Sequence, residues 1–195
     1  MTLSAYITET EGVLRSNGFS RSRRTWNRCF KQYTDVVDLQ VAKSGDAVTI
    51  NVGVLEREAF AFCWGKPPGN PVQESSCIVR ARLGELVDNR DCWWAVNDQH
   101  GPSQVAEALV KFAIPYFERM HSSERMIESL EETGARRLPY PLPAIYLAIL
   151  LIEHGESDSG FALLGDRAAR ATKPWRLRID DIVSQLRSLN AGELR

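Results

Sequence analysis

The sequence has few of the residues and motifs that most often carry catalysis or metal binding. Only three histidines occur among 195 residues, namely His100, His121 and His154, and no HExxH or HxH spacing relates them. We expect all three to be solvated structural residues. The GxSxG, GxxxxGK[ST] and GxGxxG motifs are also absent. These absences argue against a catalytic protein, and we expect no cofactor and no metal.

The four cysteines do not form a zinc-binding pattern. Their separations are 34, 14 and 15 residues, so no CxxC pair exists among Cys29, Cys63, Cys77 and Cys92. Nothing else in the sequence is typical of a secreted protein. We therefore predict free thiols, serving as small core residues in a reducing compartment.

Long apolar runs and an excess of either charge are missing as well. The longest apolar run, residues 144–152, has nine residues, whereas a transmembrane helix needs about 20. The first residues carry acids where a positively charged leader is expected, so we predict no signal peptide. The net charge of −1 gives no field that would attract a membrane or nucleic acid. We expect a cytoplasmic protein with no membrane partner.

Alternation of apolar and polar residues is typical of half-buried antiparallel strands. Three such segments occur near residues 26–30, 37–42 and 48–54, with hairpin turns expected at 33–35 and 44–46. Another strand is expected at 77–83, and residues 92–96 are expected to form a short strand or a buried corner. Residues 56–76 contain three prolines, which favours an irregular segment.

Helical periodicity dominates the remaining sequence. It predicts helices at 3–15, at 102–120 with an interruption at Pro115, at 122–132, and at 142–154, 160–171 and 175–189. The predicted fold class is therefore α+β, an antiparallel β-meander sheet flanked by helices and followed by a C-terminal helical hairpin or bundle. We assign residues 1–135 to the α+β domain and 136–195 to a helical extension that is expected to pack on it.

Several short segments resemble one known family in their order and spacing. They are Gly18-Phe19, 23–26, 38–44, 49–53, 80–86 and Trp93-Trp94. Over residues 5–120 the sequence resembles the bacterial domain of unknown function numbered 4304, and the helical tail lies outside the likeness. The resemblance implies a curved β-sheet flanked by helices, and it implies no activity.

A basic and aromatic segment is the first candidate binding surface. Its members, which fall within eleven residues, are Arg21, Arg23, Arg24, Trp26, Arg28 and Lys31. Guanidinium groups bind carboxylates and phosphates, and tryptophan stacks on bases or guanidinium groups. An acidic protein or a nucleic acid would fit, but so would a solvated turn with Trp26 in the core. Nucleic acid is disfavoured because residues 36–195 hold 18 basic and 22 acidic residues.

The polar face of the meander is the second candidate surface. It is expected to carry Gln40 and Asn51, together with Asn27, Asp38 and Thr49. This face could bind a partner or a small ligand, or it could be an ordinary solvated face. Trp94 is a third candidate, because neighbouring residues of a strand point to opposite sides and an exposed tryptophan often anchors an interface.

Three functional hypotheses remain open at this point. The first is a non-catalytic protein-binding module with an unidentified protein partner, and its specific form is an immunity-type protein that neutralises a bacterial toxin. The second is a small-ligand binder or enzyme that uses the polar face of the sheet. The third is a nucleic-acid-associated protein that uses residues 21–31. The oligomeric state is left open.

Overall fold

The computed structural model describes residues 2–192, with side chains described as far as residue 189. Six antiparallel strands form one sheet in the order β1-β2-β3-β4-β5, and β6 also pairs with β4. Each strand from β1 to β5 pairs with the next one along the chain, as expected for a meander. The strands are β1 (Ser20–Ser22), β2 (Thr25–Phe30), β3 (Tyr33–Val41), β4 (Ala47–Glu56), β5 (Val79–Arg82) and β6 (Trp94–Ala95).

Helices flank the sheet and form the C-terminal part of the described chain, which confirms the predicted α+β class. The helix predicted at 102–120 is interrupted before Pro115 by a π-helical turn, Leu109–Ala113, because proline has no N–H to donate within a helix. The helices are α1 (Leu3–Ser16), α2 (Arg57–Trp64), α3 (Leu83–Asp88), α4 (Gly101–Ala108), α5 (Ile114–Met120), α6 (Ser123–Glu132), α7 (Leu142–Glu153), α8 (Ser157–Arg170) and α9 (Lys173–Gly192).

Two sequence-based predictions of local structure were wrong. The turn expected at residues 33–35 is part of β3, where Tyr33, Thr34 and Asp35 are all buried. The chain instead reverses at residues 31–32, with Lys31 at a φ of 51°. The segment expected to be irregular from residue 56 contains α2, whose apolar residues at positions 59, 60 and 63 are buried. Proline therefore interrupts regular structure only after α2 ends.

The chain divides into two compact units. The sheet unit comprises Met1–Glu56 and Gly69–His121, and the helical unit comprises Arg57–Pro68 and Ser122–Arg195. Helix α2 therefore belongs with the C-terminal helices, although its sequence lies between β4 and β5. The assignment of residues 1–135 to an α+β domain and of residues 136–195 to a helical extension stays a prediction.

The sheet has one apolar and one polar face, as its alternating sequence requires. Residues directly opposite each other in neighbouring strands share a face, so the strand register assigns each side chain to a side. Seven apolar side chains that the register places on the apolar face are buried and form the core of the sheet unit. They are Trp26, Val37, Leu39, Val48, Ile50, Val52 and Val54.

The core of the helical unit is built mainly around α7. Ten of the twelve residues of this helix are buried, so its sequence is apolar on all sides rather than along one stripe. Gly160 allows α8 to approach it, because an added Cβ would lie 2.4 Å from a side-chain carbon of Ile152. Among residues 2–192, no helix is long and apolar enough to cross a membrane.

The four cysteines are unpaired and differ in accessibility. Cys63 and Cys77 are buried as predicted, whereas Cys29 is exposed and Cys92 is partly exposed. Burial raises the pKa of the Cys63 thiol to about 12 and that of Cys77 well above its ordinary value. Because the thiolate is the reactive form, both buried groups should be inert at neutral pH.

We therefore predict a strict order of alkylation. At about pH 8, iodoacetamide should modify Cys29 first and leave Cys63 and Cys77 unmodified until the protein is unfolded. Mass spectrometry of proteolytic peptides over time measures this order directly. Modification of Cys63 or Cys77 in the folded protein at the rate of Cys29 would contradict the described burial.

Candidate functional site

The polar face of the sheet holds the residues that sequence alternation assigned to it. Asn27, Asp38, Gln40, Thr49 and Asn51 all fall on this face in the observed register. Two chain segments cross over it. The side chain of Asn27 exchanges two hydrogen bonds with the backbone of residue 72, and the Thr49 hydroxyl donates to the carbonyl oxygen of residue 92 at 2.8 Å.

A shallow polar cavity of about 220 Å³ opens on this face. At its base, the Asn51 amide donates to Oε1 of Gln40 at 3.0 Å, and Asn51 is only 8% exposed. Two arginines and two glutamates line the cavity along with these amides. We call this cavity the sheet groove; its residues are Gln40, Asn51, Glu74, Arg80, Ala81, Arg82 and Glu85.

A stacked arginine and tryptophan lie at the edge of the sheet groove. The guanidinium of Arg82 is 5.4 Å from the ring centre of Trp93, and it also donates to the carboxylate of Asp91. The Trp93 indole N–H donates to the same carboxylate at 3.1 Å. The hydrogen bond from Arg82 is the main reason that the pKa of Asp91 lies below its ordinary value. These three side chains fix one another at the surface.

The second arginine of the groove is held by a glutamate on the opposite side. Arg80 and Glu74 form a two-point ion pair, in which Nη2 donates to Oε2 at 2.9 Å. This hydrogen bond raises the pKa of Arg80 above its ordinary value. Glu85 accepts a hydrogen bond from the backbone N–H of Arg82 at 2.7 Å, which closes the turn between β5 and α3. Both arginines of the groove are therefore paired with carboxylates, so the groove presents charges of both signs.

The predicted basic and aromatic segment does not form one surface. Arg21 is exposed in β1, and Arg23 and Arg24 are exposed on the turn between β1 and β2, where Arg23 has a φ of 59°. Trp26 is fully buried, and its indole N–H donates to Glu11 at 2.7 Å. The assignment of Trp26 as a contact residue was therefore wrong, because a buried indole cannot stack on a partner.

Arg28 belongs to a buried charge cluster that sequence reasoning missed. Its Nε donates to Oδ2 of Asp35 at 2.8 Å, and Nε2 of His121 lies 2.7 Å from Oδ1 of this completely buried carboxylate. The imidazole also stacks between the rings of Phe30 and Tyr33, at centroid distances of 4.9 and 5.0 Å. The expectation that His121 is a solvated residue was wrong. Arg28 and His121 are better placed to stabilise the sheet unit than to bind a partner.

The exposed member of the tryptophan pair is Trp93 rather than Trp94. Trp94 is paired with Val48 in the register of β6 and β4, which directs it to the apolar side of the sheet. Trp93 is 36% exposed and lies beside the groove. Alternation predicted that the two rings diverge, but it could not tell which face of so short a strand is covered.

Groups of three or more His, Cys, Asp or Glu residues with metal-binding geometry are not found in residues 2–192. The observed site is instead a set of hydrogen-bonded amides, arginines and acids on the covered polar face of an antiparallel sheet. This sheet and its flanking helices define the protein as one of the α+β class. The chain belongs to the family described as domain of unknown function (DUF4304), whose model matches residues 10–119. No curated protein and no solved structure shows significant similarity to it.

Proposed function

We propose that this protein is a non-catalytic protein-binding module whose contact surface is the sheet groove with Asp91 and Trp93. The observation that carries the proposal is the Trp93 ring, which is partly exposed and fixed by Arg82 and Asp91. Tryptophan and arginine are the residues most enriched among those that dominate binding energy at protein interfaces. Side chains that are already ordered lose little entropy when a partner binds.

The size and charge of the groove favour a protein over a small molecule. Its volume of about 220 Å³ is smaller than the roughly 300–1,000 Å³ of typical ligand pockets. Both arginines already have carboxylate partners, so a small anion would have to displace Glu74 or Asp91. A protein can instead place its own charged residues against these groups of both signs.

The acids around the groove also disfavour nucleic acid as the partner. Glu74, Glu85 and Asp91 lie among the arginines, and a phosphate backbone would meet them at close range. The exposed arginines at residues 21–24 offer only a short basic turn. The four unpaired cysteines favour a reducing compartment, and we extend the proposal to action in a bacterial cytoplasm.

Comparative capture from host cell extract tests the proposal. The tagged chain, a Trp93→Ala variant and an Arg23→Gln/Arg24→Gln control variant are used as baits, and retained proteins are quantified by mass spectrometry. We expect one protein to be retained by the wild type and by the control, and to be reduced at least about tenfold by Trp93→Ala, because loss of an interface anchor costs about 2 kcal/mol or more.

The outcomes separate the competing functions. Retention that depends on residues 23 and 24 but not on Trp93 would move the interface to the basic turn and contradict the proposal. Retention of nucleic acid alone would do the same. An immunity-type function requires in addition that the captured protein is an enzyme whose activity falls when the chain is added.

A further inference from the structure

The helical unit contains a second cavity, larger than the sheet groove. It has a volume of about 300 Å³ and lies between the loop that joins α6 to α7 and the turn that joins α8 to α9. We call it the arginine cavity; it is lined by Arg137, Leu138, Pro139, Pro141, Arg167, Arg170, Ala171, Thr172 and Trp175. Its volume lies at the lower end of the range of small-molecule sites.

The lining of the arginine cavity is positively charged. Three arginines line it, and the lining includes no aspartate or glutamate. Arg170 forms an ion pair with Asp166 on the exposed side of α8. Within the described part of the chain, neither Arg137 nor Arg167 lies within ion-pair distance of a carboxylate. The cavity therefore has positive charge that the surrounding residues do not neutralise.

Arg167 is the residue for which this imbalance matters most. It is only 7% exposed, and both hydrogen bonds of its guanidinium come from Nη2, which donates to the carbonyl oxygens of Ala135 at 3.0 Å and Arg136 at 2.6 Å. The buried Nε has no hydrogen-bond partner among the described residues. A buried charge with an unused donor is costly unless an anion compensates for it.

Backbone dipoles and aromatic rings add to the same site. The cavity residues Pro141 and Trp175 lie at the N-terminal ends of α7 and α9, where helix dipoles favour negative charge. The C-terminal end of α8 also lies at the cavity, and its carbonyl groups disfavour an anion. One of them is neutralised by Arg176, whose Nε donates to the carbonyl oxygen of Ala168 at 3.1 Å. The Trp175 ring, braced edge-on by Tyr140 at a centroid distance of 5.6 Å, forms an apolar wall.

From these features we infer that the arginine cavity binds a small organic anion, a phosphate ester or carboxylate joined to a planar ring. Guanidinium groups hold such an anion through paired hydrogen bonds. The ring packs against Trp175 and the apolar residues of the loop before α7. This site lies in a different unit from the sheet groove, and it does not depend on the function proposed there.

Calorimetric titration of the full chain with four probes tests this inference. Adenosine 5′-monophosphate carries both an anion and a ring, inorganic phosphate carries only the anion, adenosine only the ring, and benzoate replaces the phosphate by a carboxylate. We expect the monophosphate or benzoate to bind at least about tenfold more tightly than inorganic phosphate, and adenosine not to bind measurably.

Two variants and a control assign the binding to the cavity. Arg137→Gln should weaken binding at least about tenfold, because a charge-assisted hydrogen bond is lost. Trp175→Leu should weaken the binding of the ring-bearing anions and leave the binding of inorganic phosphate unchanged. Arg187→Gln removes an arginine of the same unit outside the cavity and should change nothing. All three residues are at least partly exposed, so the variants should fold.

Two results would overturn the inference. The first is the absence of heat and of chemical-shift changes with the monophosphate, benzoate and phosphate at millimolar concentration. The second is binding that Arg137→Gln and Trp175→Leu leave intact.

Discussion

Replacement of Asp35 by asparagine should lower the free energy of unfolding by about 3 kcal/mol, because removing one partner of a buried ion pair leaves the other uncompensated. Asp35 is completely buried and accepts hydrogen bonds from both Arg28 and His121. Asparagine keeps the shape of the side chain but offers only one acceptor oxygen and no charge. Denaturant unfolding followed by circular dichroism measures the loss.

Asp88→Asn is the matched control for this prediction. Asp88 also pairs with an arginine in the sheet unit, but both side chains of its pair with Arg90 are more than half exposed. This variant should stay within about 0.5 kcal/mol of the wild type. If Asp35→Asn were as mild as Asp88→Asn, the charge cluster would not be the structural element that we describe.

Replacement of Gly84 by alanine should cost about 2 kcal/mol of stability and disturb the edge of the sheet groove. An added Cβ would lie 2.5 Å from Cβ of Cys92 and 2.6 Å from the carbonyl oxygen of Arg90. The backbone must move to relieve this overlap, which costs about 3 kcal/mol of stability. The better helix propensity of alanine offsets about 1 kcal/mol of this cost. The displaced segment carries Asp91 and Trp93.

Gly12→Ala should have the opposite effect on stability in the same unit. Gly12 lies on an exposed part of α1, and an added Cβ would have no neighbour within 4 Å. Alanine should therefore stabilise the protein by about 0.5–1 kcal/mol. Both variants can be measured by thermal unfolding, and a stabilising effect of Gly84→Ala would contradict the close packing of α3 on residues 90–92.

The alternation of apolar and polar residues predicted the sheet, because it indicates which side chains are buried. The strands β2, β3 and β4 were found from period-two patterns, and their polar residues share one face as expected. The same principle failed at residues 33–35, where Asp35 is polar but points to the apolar side. Its burial depends on Arg28 and on His121, which is 86 residues away in the sequence. Local pattern cannot reveal such a partner.

The sheet groove was only partly predictable for a similar reason. Gln40 and Asn51 were assigned to the polar face, but Arg80, Arg82 and Trp93 were not recognised as their neighbours. The spacing of Arg80 and Arg82 places them on one face of β5, which is a signal that sequence reasoning could have used. The position of Trp93 depends on which segment crosses the sheet, and that is decided by tertiary packing.

The arginine cavity gave no sequence signal that could be distinguished from solvated surface. Arg137, Arg167 and Trp175 are spread over 39 positions and belong to three different parts of the helical unit. Arg167 falls on the buried side of α8 together with Leu163 and Leu164, but the two carbonyl oxygens that accept its hydrogen bonds come from the loop between α6 and α7. A single exposed-looking arginine on a helix is ordinarily solvated.

The most direct test of the proposed function is amide hydrogen exchange of the chain alone and in complex with the protein that it captures. A module that binds through the sheet groove should gain protection in peptides covering residues 38–42, 49–53, 79–85 and 91–94, with residues 21–24 unchanged. Protection confined to residues 21–24, or to the helical unit, would contradict the central claim that the polar face of the sheet is the binding surface.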